Sequence, residues 1–192
     1  MKALRSLLVL LALLPRLPAQ TAPAPPAFPA IRSQVTIATQ QRRVGETWQK
    51  NMEIGPKVVI EGNARLTPLP DAEATMIVVT MDTRAKYTQK QEVYHVLSAE
   101  TLPVPAAKNG DRRTLTFTPS SVTFDSYRDS SNLGGSVYKY YVYALRDSAT
   151  KNIVDFQTNY AQLAAAVKAD PAVREEVLIL SKGANFPATF KK

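Results

Sequence analysis

The stretch SVYKYYVYAL at residues 136–145 decides the fold class of this 192-residue chain. It is dense in β-branched and aromatic residues, which favour the pleated, half-buried setting of a β-strand. Turn-forming residues follow at 147–152, and a second apolar run occupies 153–156. This spacing predicts consecutive antiparallel strands rather than strands separated by helices.

The same β pattern extends back to residue 31. Strand-like runs cover residues 34–39, 52–60, 75–81, 85–98, 115–117 and 122–124. Residues 75–81 are apolar on both faces, which predicts a central strand. Gly55-Pro56 interrupts its run and predicts a bulge or an edge. With no helical period among them, roughly seven to nine antiparallel strands predict a mostly β protein, either a β-sandwich or a barrel.

The apolar spacing changes to a helical one after residue 157. Thr158 or Asn159 can cap a first helix, and a second helix is predicted to start at Asp170-Pro171 and to end at Lys182-Gly183. The predicted units are therefore a β-sandwich at residues 31–157, a helical appendage at 158–183 and a tail at 184–192. The appendage covers one end or edge of the sandwich, or it serves as an interaction arm.

The first 30 residues predict export. Lys2 and Arg5 precede an apolar run at residues 7–14, and Ala19 offers a small residue for cleavage. The run is shorter than the ~20 residues that span a bilayer. We therefore expect a signal peptide at residues 1–19, with an uncleaved anchor as the alternative, and a periplasmic or secreted protein without a membrane span in its mature chain. Residues 20–30 are rich in proline and predict an extended spacer or a tail left by processing.

Composition argues against several function classes. The chain has no cysteine, so a lipid-anchored lipoprotein, a cysteine nucleophile and a thiolate metal site are excluded. The net charge is +8, but the basic residues are scattered, so nucleic-acid binding is not expected. His95 is the only histidine and lies in a strand-like run, which favours a structural role over catalysis or zinc binding. We expect no enzymatic activity, no cofactor and no metal.

The loop at residues 125–135 combines oxygen-bearing side chains with two glycines. It could wrap calcium, although its spacing differs from an EF-hand. A turn built from Asx residues and closed by glycines explains the same residues and is favoured.

Four tyrosines in the 136–145 strand are candidates for ligand contact: Tyr138, Tyr140, Tyr141 and Tyr143. Strand alternation predicts that Tyr138 and Tyr140 share one face and that Tyr141 and Tyr143 share the other. Exposed rings could stack against a glycan, whereas core and edge packing is the favoured reading. Trp48 is predicted to fill the core.

Residues 125–135 and 136–145, which lead into Arg146-Asp147, carry a family resemblance. The region from about residue 30 to residue 156 resembles small secreted immunoglobulin-like proteins of bacteria with two membranes, some of them encoded beside type IV pilus-like machinery. The Cys-Trp-Cys pattern of antibody domains is absent. The resemblance implies an immunoglobulin-like antiparallel β-sandwich with C-terminal α-helices, and it implies no catalytic residue.

The leading functional hypothesis is a non-enzymatic binding or structural protein of the cell envelope, for example within a pilus-like or secretion assembly. Its unidentified partner would be another envelope protein, added as a strand to a sheet edge. Lysines at residues 85–92 predict a guarded edge there. The alternative is a carbohydrate-binding module that uses the four tyrosines. A hydrolase with paired carboxylates is the least favoured hypothesis.

Overall fold

The computed structural model describes residues 31–45, 48–62, 68–108, 111–126 and 134–190, which form two antiparallel β-sheets. The predicted signal peptide at 1–19 and the spacer at 20–30 lie outside the described residues. In chain order the elements are β1 (Ile31–Arg43), β2 (Gln49–Gly62), β3 (Ala72–Asp82), α1 (Thr83–Thr88), β4 (Tyr94–Val104), β5 (Arg112–Thr116), β6 (Ser120–Asp125), β7 (Ser136–Asp147), β8 (Ile153–Thr158), α2 (Ala161–Ala169), α3 (Val173–Leu178) and β9 (Asn185–Phe186).

The strand order is that of an immunoglobulin-like sandwich. The first sheet runs β1-β2-β5. β6 pairs with the same side of β2 as β5 does, but with the N-terminal part of β2, Gln49–Ile54, whereas β5 pairs with Lys57–Glu61. The second sheet runs β8-β7-β3-β4-β9. Consecutive strands cross between the sheets three times, at β2–β3, β4–β5 and β6–β7, as Greek-key sandwiches require. The predicted fold class, mostly β with C-terminal helices, is confirmed.

Pro56 explains why β5 and β6 are two strands. β2 itself runs unbroken through Gly55-Pro56, and its register with β1 does not shift. The Pro56 carbonyl accepts from the Phe117 N–H at 3.1 Å, so the backbone groups of Pro56 are directed toward β5 and β6 and not toward β1. An extended residue directs its N–H and C=O to the same neighbour, and proline has no N–H to offer. Gly55-Pro56 therefore causes no bulge in β2. Its effect is the gap between β5 and β6 in the neighbouring position of the sheet.

Two apolar cores lie on the two faces of the second sheet. Met76 and Val78 of β3 point into the inter-sheet core, whereas Ile77 and Val79 point into the helix-side core. The central position predicted for this run is confirmed. The inter-sheet core also takes buried residues of both sheets, among them Ile54, Val58, Ile60, Phe117, Tyr143 and Leu145. Burying each large apolar side chain contributes about 1.5–3 kcal/mol of hydrophobic stabilisation.

The C-terminal helices cover the outer face of the second sheet. Leu163 of α2 and Val177 of α3 are buried in the helix-side core. No side-chain bond caps the start of α2 at Tyr160, so neither Thr158 nor Asn159 is its N-cap. α3 ends at Leu178, earlier than predicted, because Gly183 instead donates its N–H to the Val96 carbonyl of β4. The chain then adds β9 beside Tyr94 and His95.

Residues 83–88 form a helix, so the strand predicted at 85–98 starts only at Tyr94. The Asp82 carboxylate accepts from the Ala85 N–H at 2.8 Å and caps α1. Ala85 is buried on the inner side of this turn between β3 and β4. The guarded edge predicted at 85–92 is therefore wrong. None of the helices described is long and apolar enough to cross a membrane.

Candidate functional site

The outer edge of β1 is open as far as the described residues extend. Across the described residues β1 pairs only with β2, in one register from Ile31 opposite Gly62 to Arg43 opposite Lys50. At the other sheet, the chain covers the start of the β4 edge with β9. The first sheet therefore presents a long strand with one unpaired side.

Two hydrogen bonds show which backbone groups of β1 point outward. The Val44 N–H donates to the Gln49 carbonyl at 2.9 Å, so even-numbered residues face β2. The Ser33 carbonyl accepts from the Gln157 side chain of β8 at 2.9 Å, so odd-numbered residues face away from β2. Beyond Ser33, the outward backbone groups meet no partner among the residues described. They belong to Val35, Ile37, Thr39, Gln41 and Arg43.

The side chains along this edge offer little protection against pairing. Residues 34–41, QVTIATQQ, contain no charge, no proline and no glycine. Proteins usually guard long edge strands with lysine, proline, a bulge or a covering segment. The open part, residues 35–43, extends for about 30 Å at the usual rise of a strand. It is long enough to pair with most natural strands.

The distal part of β1 projects beyond the sandwich. Val35 and Ile37 are half-buried against the inter-sheet core, but every residue from Ala38 to Arg43 is exposed. Thr39 and Gln41 lie on the same face as Val35 and Ile37, so their exposure means that neither sheet of the described chain covers this end. A second strand could approach here without displacing a packed side chain.

Trp48 lies at the tip of the β1–β2 hairpin and is 54% exposed. The prediction that it fills the core is wrong, because the residue lies just before β2 begins, on the projecting end of the hairpin. Its ring contacts the Arg43 guanidinium, 5.7 Å from the ring centroid. The backbone carbonyl of Trp48 accepts from the Ser126 N–H at 2.9 Å, which holds the tip against the end of β6.

The four candidate tyrosines do not form one surface. Tyr143 is fully buried in the inter-sheet core, and Tyr138 and Tyr141 are half-buried against it. Tyr140 lies on the opposite face, where its ring stacks on Tyr160 with centroids 4.1 Å apart. Burial raises the pKa of Tyr138 to about 12.

The predicted pairing of Tyr138 with Tyr140 on one face is wrong because β7 is irregular between them. Tyr140 pairs with Val79, but Tyr138 pairs with Thr80, so Lys139 is an extra residue that reverses the alternation. The sharing of a face by Tyr141 and Tyr143 is confirmed. Glycan stacking on the half-buried rings stays a prediction.

Three acidic residues on or beside β3 and β4 have structural partners. His95 is half-buried in β4. Asp82 caps α1, the Asp71 carboxylate accepts from the Ala106 N–H at 2.7 Å, and Glu100 accepts from the Thr118 N–H at 2.7 Å. Within the described ranges, no group of three histidine or acidic side chains could hold a metal ion.

The loop proposed for calcium or for an Asx turn is described only at its base. Its N-terminal side ends at Ser126, and its C-terminal side resumes at Gly134. The Asp125 N–H donates to the Gly134 carbonyl at 3.1 Å, and a β-bridge joins Phe124 to Gly135. Residues 127–133, which both interpretations need, lie outside the described residues.

No protein-family model and no curated protein matches this chain. A crystal structure from Akkermansia muciniphila aligns at 10% identity and a TM-score of 0.33, over 68% of this chain and 70% of its own. An X-ray structure of a Northeast Structural Genomics Consortium target aligns at 11% identity and a TM-score of 0.28, over 67% and 84%. A β-glucosidase from Listeria innocua aligns at 12% identity and a TM-score of 0.25, over 67% of this chain and 16% of the enzyme. Scores this low carry no argument, and the sandwich fold rests on the strand order of this chain itself.

Proposed function

We propose that this protein is an exported, non-enzymatic binding protein of the cell envelope that pairs with an extended segment of a protein partner along the open edge of β1. The observation that carries the proposal is the row of outward backbone groups from Val35 to Arg43, which have no partner among the described residues. In strand addition, main-chain hydrogen bonds supply affinity and alternate side chains supply specificity.

The geometry of the edge suits this mode of binding. The added strand would extend the first sheet beside β1, and its side chains would alternate between the solvent face and the face that carries Val35 and Ile37. Near Ser33 the edge is closed, because Gln157 already occupies the carbonyl. Binding would therefore use the open part of the strand, residues 35–43, and leave the packed side chains of the sandwich in place.

The predicted signal peptide and proline-rich spacer support an extracytoplasmic setting. A spacer would hold the sandwich away from whatever lies behind it. Envelope assemblies such as pilus-like fibres and secretion machines join many subunits, and strand addition is a recurring way to join them. We therefore propose, more specifically, that the protein is a component of such an assembly.

Proline at position 39 tests the proposal. The Thr39 N–H points away from β2, so T39P removes a donor to the partner and leaves the β1–β2 ladder intact. We expect the free energy of unfolding to change by less than about 1 kcal/mol. We place a photo-crosslinking residue at position 41 and measure the amount of crosslinked partner in cells. We expect T39P to reduce this amount at least about tenfold, which corresponds to a loss of about 1.4 kcal/mol in binding free energy.

T39V is the matched control, because valine keeps both the N–H and the β-branched shape. It should retain the crosslinked partner. Equal crosslinking by the wild type, T39V and T39P would show that the edge is not the binding surface. Loss of the partner in both variants would assign binding to the Thr39 hydroxyl and would also contradict strand addition.

A further inference from the structure

We infer that the strand received at this edge is β1 of a second copy of the same chain, paired antiparallel about Thr39. This inference rests on the function proposed above and names its partner. Segments of six or seven residues with high β-propensity, no charge and no proline are the ones that pair with identical segments. Residues 34–41 have no charge and no proline, and four of the eight are β-branched: Val35, Thr36, Ile37 and Thr39.

The outward backbone groups limit the registers that two copies can adopt. In an antiparallel pair, residues that exchange hydrogen bonds must both point at the neighbour, so odd-numbered residues of one copy face odd-numbered residues of the other. Centred on Thr39, the pairing places Val35 opposite Arg43 and Ile37 opposite Gln41, and Thr39 faces itself. This register uses all of the open edge and no more.

Neighbouring registers fit less well. Centring on Ala38 places Arg43 opposite Ser33, whose carbonyl is already bound by Gln157. Centring on Ile37 places Arg32 opposite Arg42, and like charges directly opposite each other are destabilising. Centring on Gln40 or Gln41 leaves Val35 without a partner.

The Thr39 register has compatible side-chain pairs. On the solvent face Arg42 lies opposite Thr36, and Ala38 lies opposite Gln40. On the other face Thr39 meets its own copy, and a Thr–Thr cross-strand pair is favourable. No guanidinium therefore faces another one, although each copy carries Arg42 and Arg43 at this end.

The pairing closes on itself. Both copies use the same surface, so the interface is isologous and has two-fold symmetry. The two first sheets become one sheet continuous through both molecules, and each open edge is covered. Because the pairing consumes the edge that makes it, the assembly through this surface stops at two copies.

Cysteine crosslinking tests the register directly, since the chain has no cysteine of its own. Ala38 and Gln40 of opposite copies would form a non-hydrogen-bonded pair, with Cα atoms about 4.5 Å apart, which a disulfide can bridge. We mix exported full-length A38C and Q40C proteins and oxidise them. The expected product is an A38C–Q40C disulfide dimer, formed at least about tenfold above control because pairing raises the effective thiol concentration.

The control is E53C mixed with A38C. Glu53 is exposed on β2 but lies one strand away from the edge. A dominant A38C–A38C dimer would overturn the Thr39 register in favour of the Ala38 one. A monomeric wild-type protein at about 100 μM, with no crosslinking above the control, would overturn self-pairing altogether.

Failure of this inference is distinguishable from failure of the proposed function. If T39P still abolishes crosslinking to a different envelope protein while the purified chain stays monomeric, the edge binds a foreign strand and only the second copy is excluded. If the wild type is dimeric and T39P is monomeric with unchanged stability, both stand.

Discussion

Gly135 is a residue on which three elements depend. Its backbone has φ +84, and a Cβ at this position would lie 2.0 Å from the Thr123 carbonyl oxygen. The Gly135 carbonyl accepts from both the N–H and the hydroxyl of Thr83, at 3.1 and 3.0 Å. Glycine therefore lets β7 begin against β6 while it anchors the first turn of α1.

We predict that G135A lowers the free energy of unfolding by about 3 kcal/mol or more, because it adds a backbone clash to the cost of a left-handed residue. G45A is the matched control. Gly45 has φ +59, but a Cβ there would contact nothing within 4 Å, so the left-handed cost of about 1 kcal/mol is all we expect. Urea unfolding of both variants measures the difference, and equal losses would mean that the approach to Thr123 relaxes freely.

Side-chain orientation at single residues was predictable where a strand is regular. Val35 and Ile37 alternate with exposed neighbours as expected. The predicted alternation of the tyrosines was wrong at Lys139, where β7 has a bulge. The position of that bulge is set by the pairing of β7 with β3, which lies some 60 residues earlier in the chain. The prediction that Trp48 fills the core was wrong for a similar reason, since the exposure of Trp48 depends on how far the opposing sheet extends.

At the scale of elements, α1 shows how a cap can outweigh a loose strand pattern. A six-residue helix is too short to be stable alone. The Asp82 carboxylate on the Ala85 N–H and the burial of Ala85 stabilise it in place. The helix lets β3 turn back into β4 on the same sheet.

We predict that D82A lowers the free energy of unfolding by about 1 kcal/mol, the usual value of an N-cap. D82N should be close to the wild type, because asparagine caps as well as aspartate does. Chemical denaturation gives both values. A wild-type-like D82A would show that the burial of Ala85 alone maintains the helix.

The elements that the sequence predicts well are those with long runs of strand-favouring residues. β3 and β7 are central strands whose β-branched and aromatic residues are buried on both faces, so their pattern extends over many residues. β9 has two residues and no period to detect. Its position follows from the Gly183 N–H pairing with Val96, which only the folded chain brings together.

For the molecule as a whole, buried tyrosines link stability to alkaline pH. Tyr94 and Tyr143 are nearly inaccessible, and burial raises the pKa of each hydroxyl well above its usual value. An unfolded tyrosine releases its proton near pH 10. Above that pH the unfolded chain loses protons that the folded chain keeps, which favours unfolding.

We predict that stability is unaffected by these groups below pH 10 and falls above it, by about 1.4 kcal/mol per pH unit for each buried tyrosine. The stability of Y143F should fall less steeply with pH, since this variant removes one buried hydroxyl. It also loses the hydroxyl contact with Ser33. Urea unfolding between pH 9 and pH 11, followed by circular dichroism, gives the slopes. Identical slopes for the wild type and Y143F would contradict the burial of this hydroxyl.

The class of fold was predictable at this scale, but the position of the proposed binding edge was not. Alternation along β1 was visible, and so was the lack of charge at residues 34–41. Which strand lies at an edge depends on strand order, and strand order is decided by crossovers such as β2–β3 that local pattern does not encode. The sequence therefore predicts an edge at residues 85–92, where the lysines indicate protection.

The β1–β2 hairpin also has a consequence for the time course of folding. All of its pairing is between neighbours in the chain, and hairpins of this kind form in about 1–10 μs. β3 must instead find β7 across more than 50 intervening residues, which is slower because a long loop has to close first. Under the proposed export, β1 would be the first described strand to leave the channel, and it would be available to the proposed partner before the sandwich around it is complete. The proposed assembly would then run concurrently with folding.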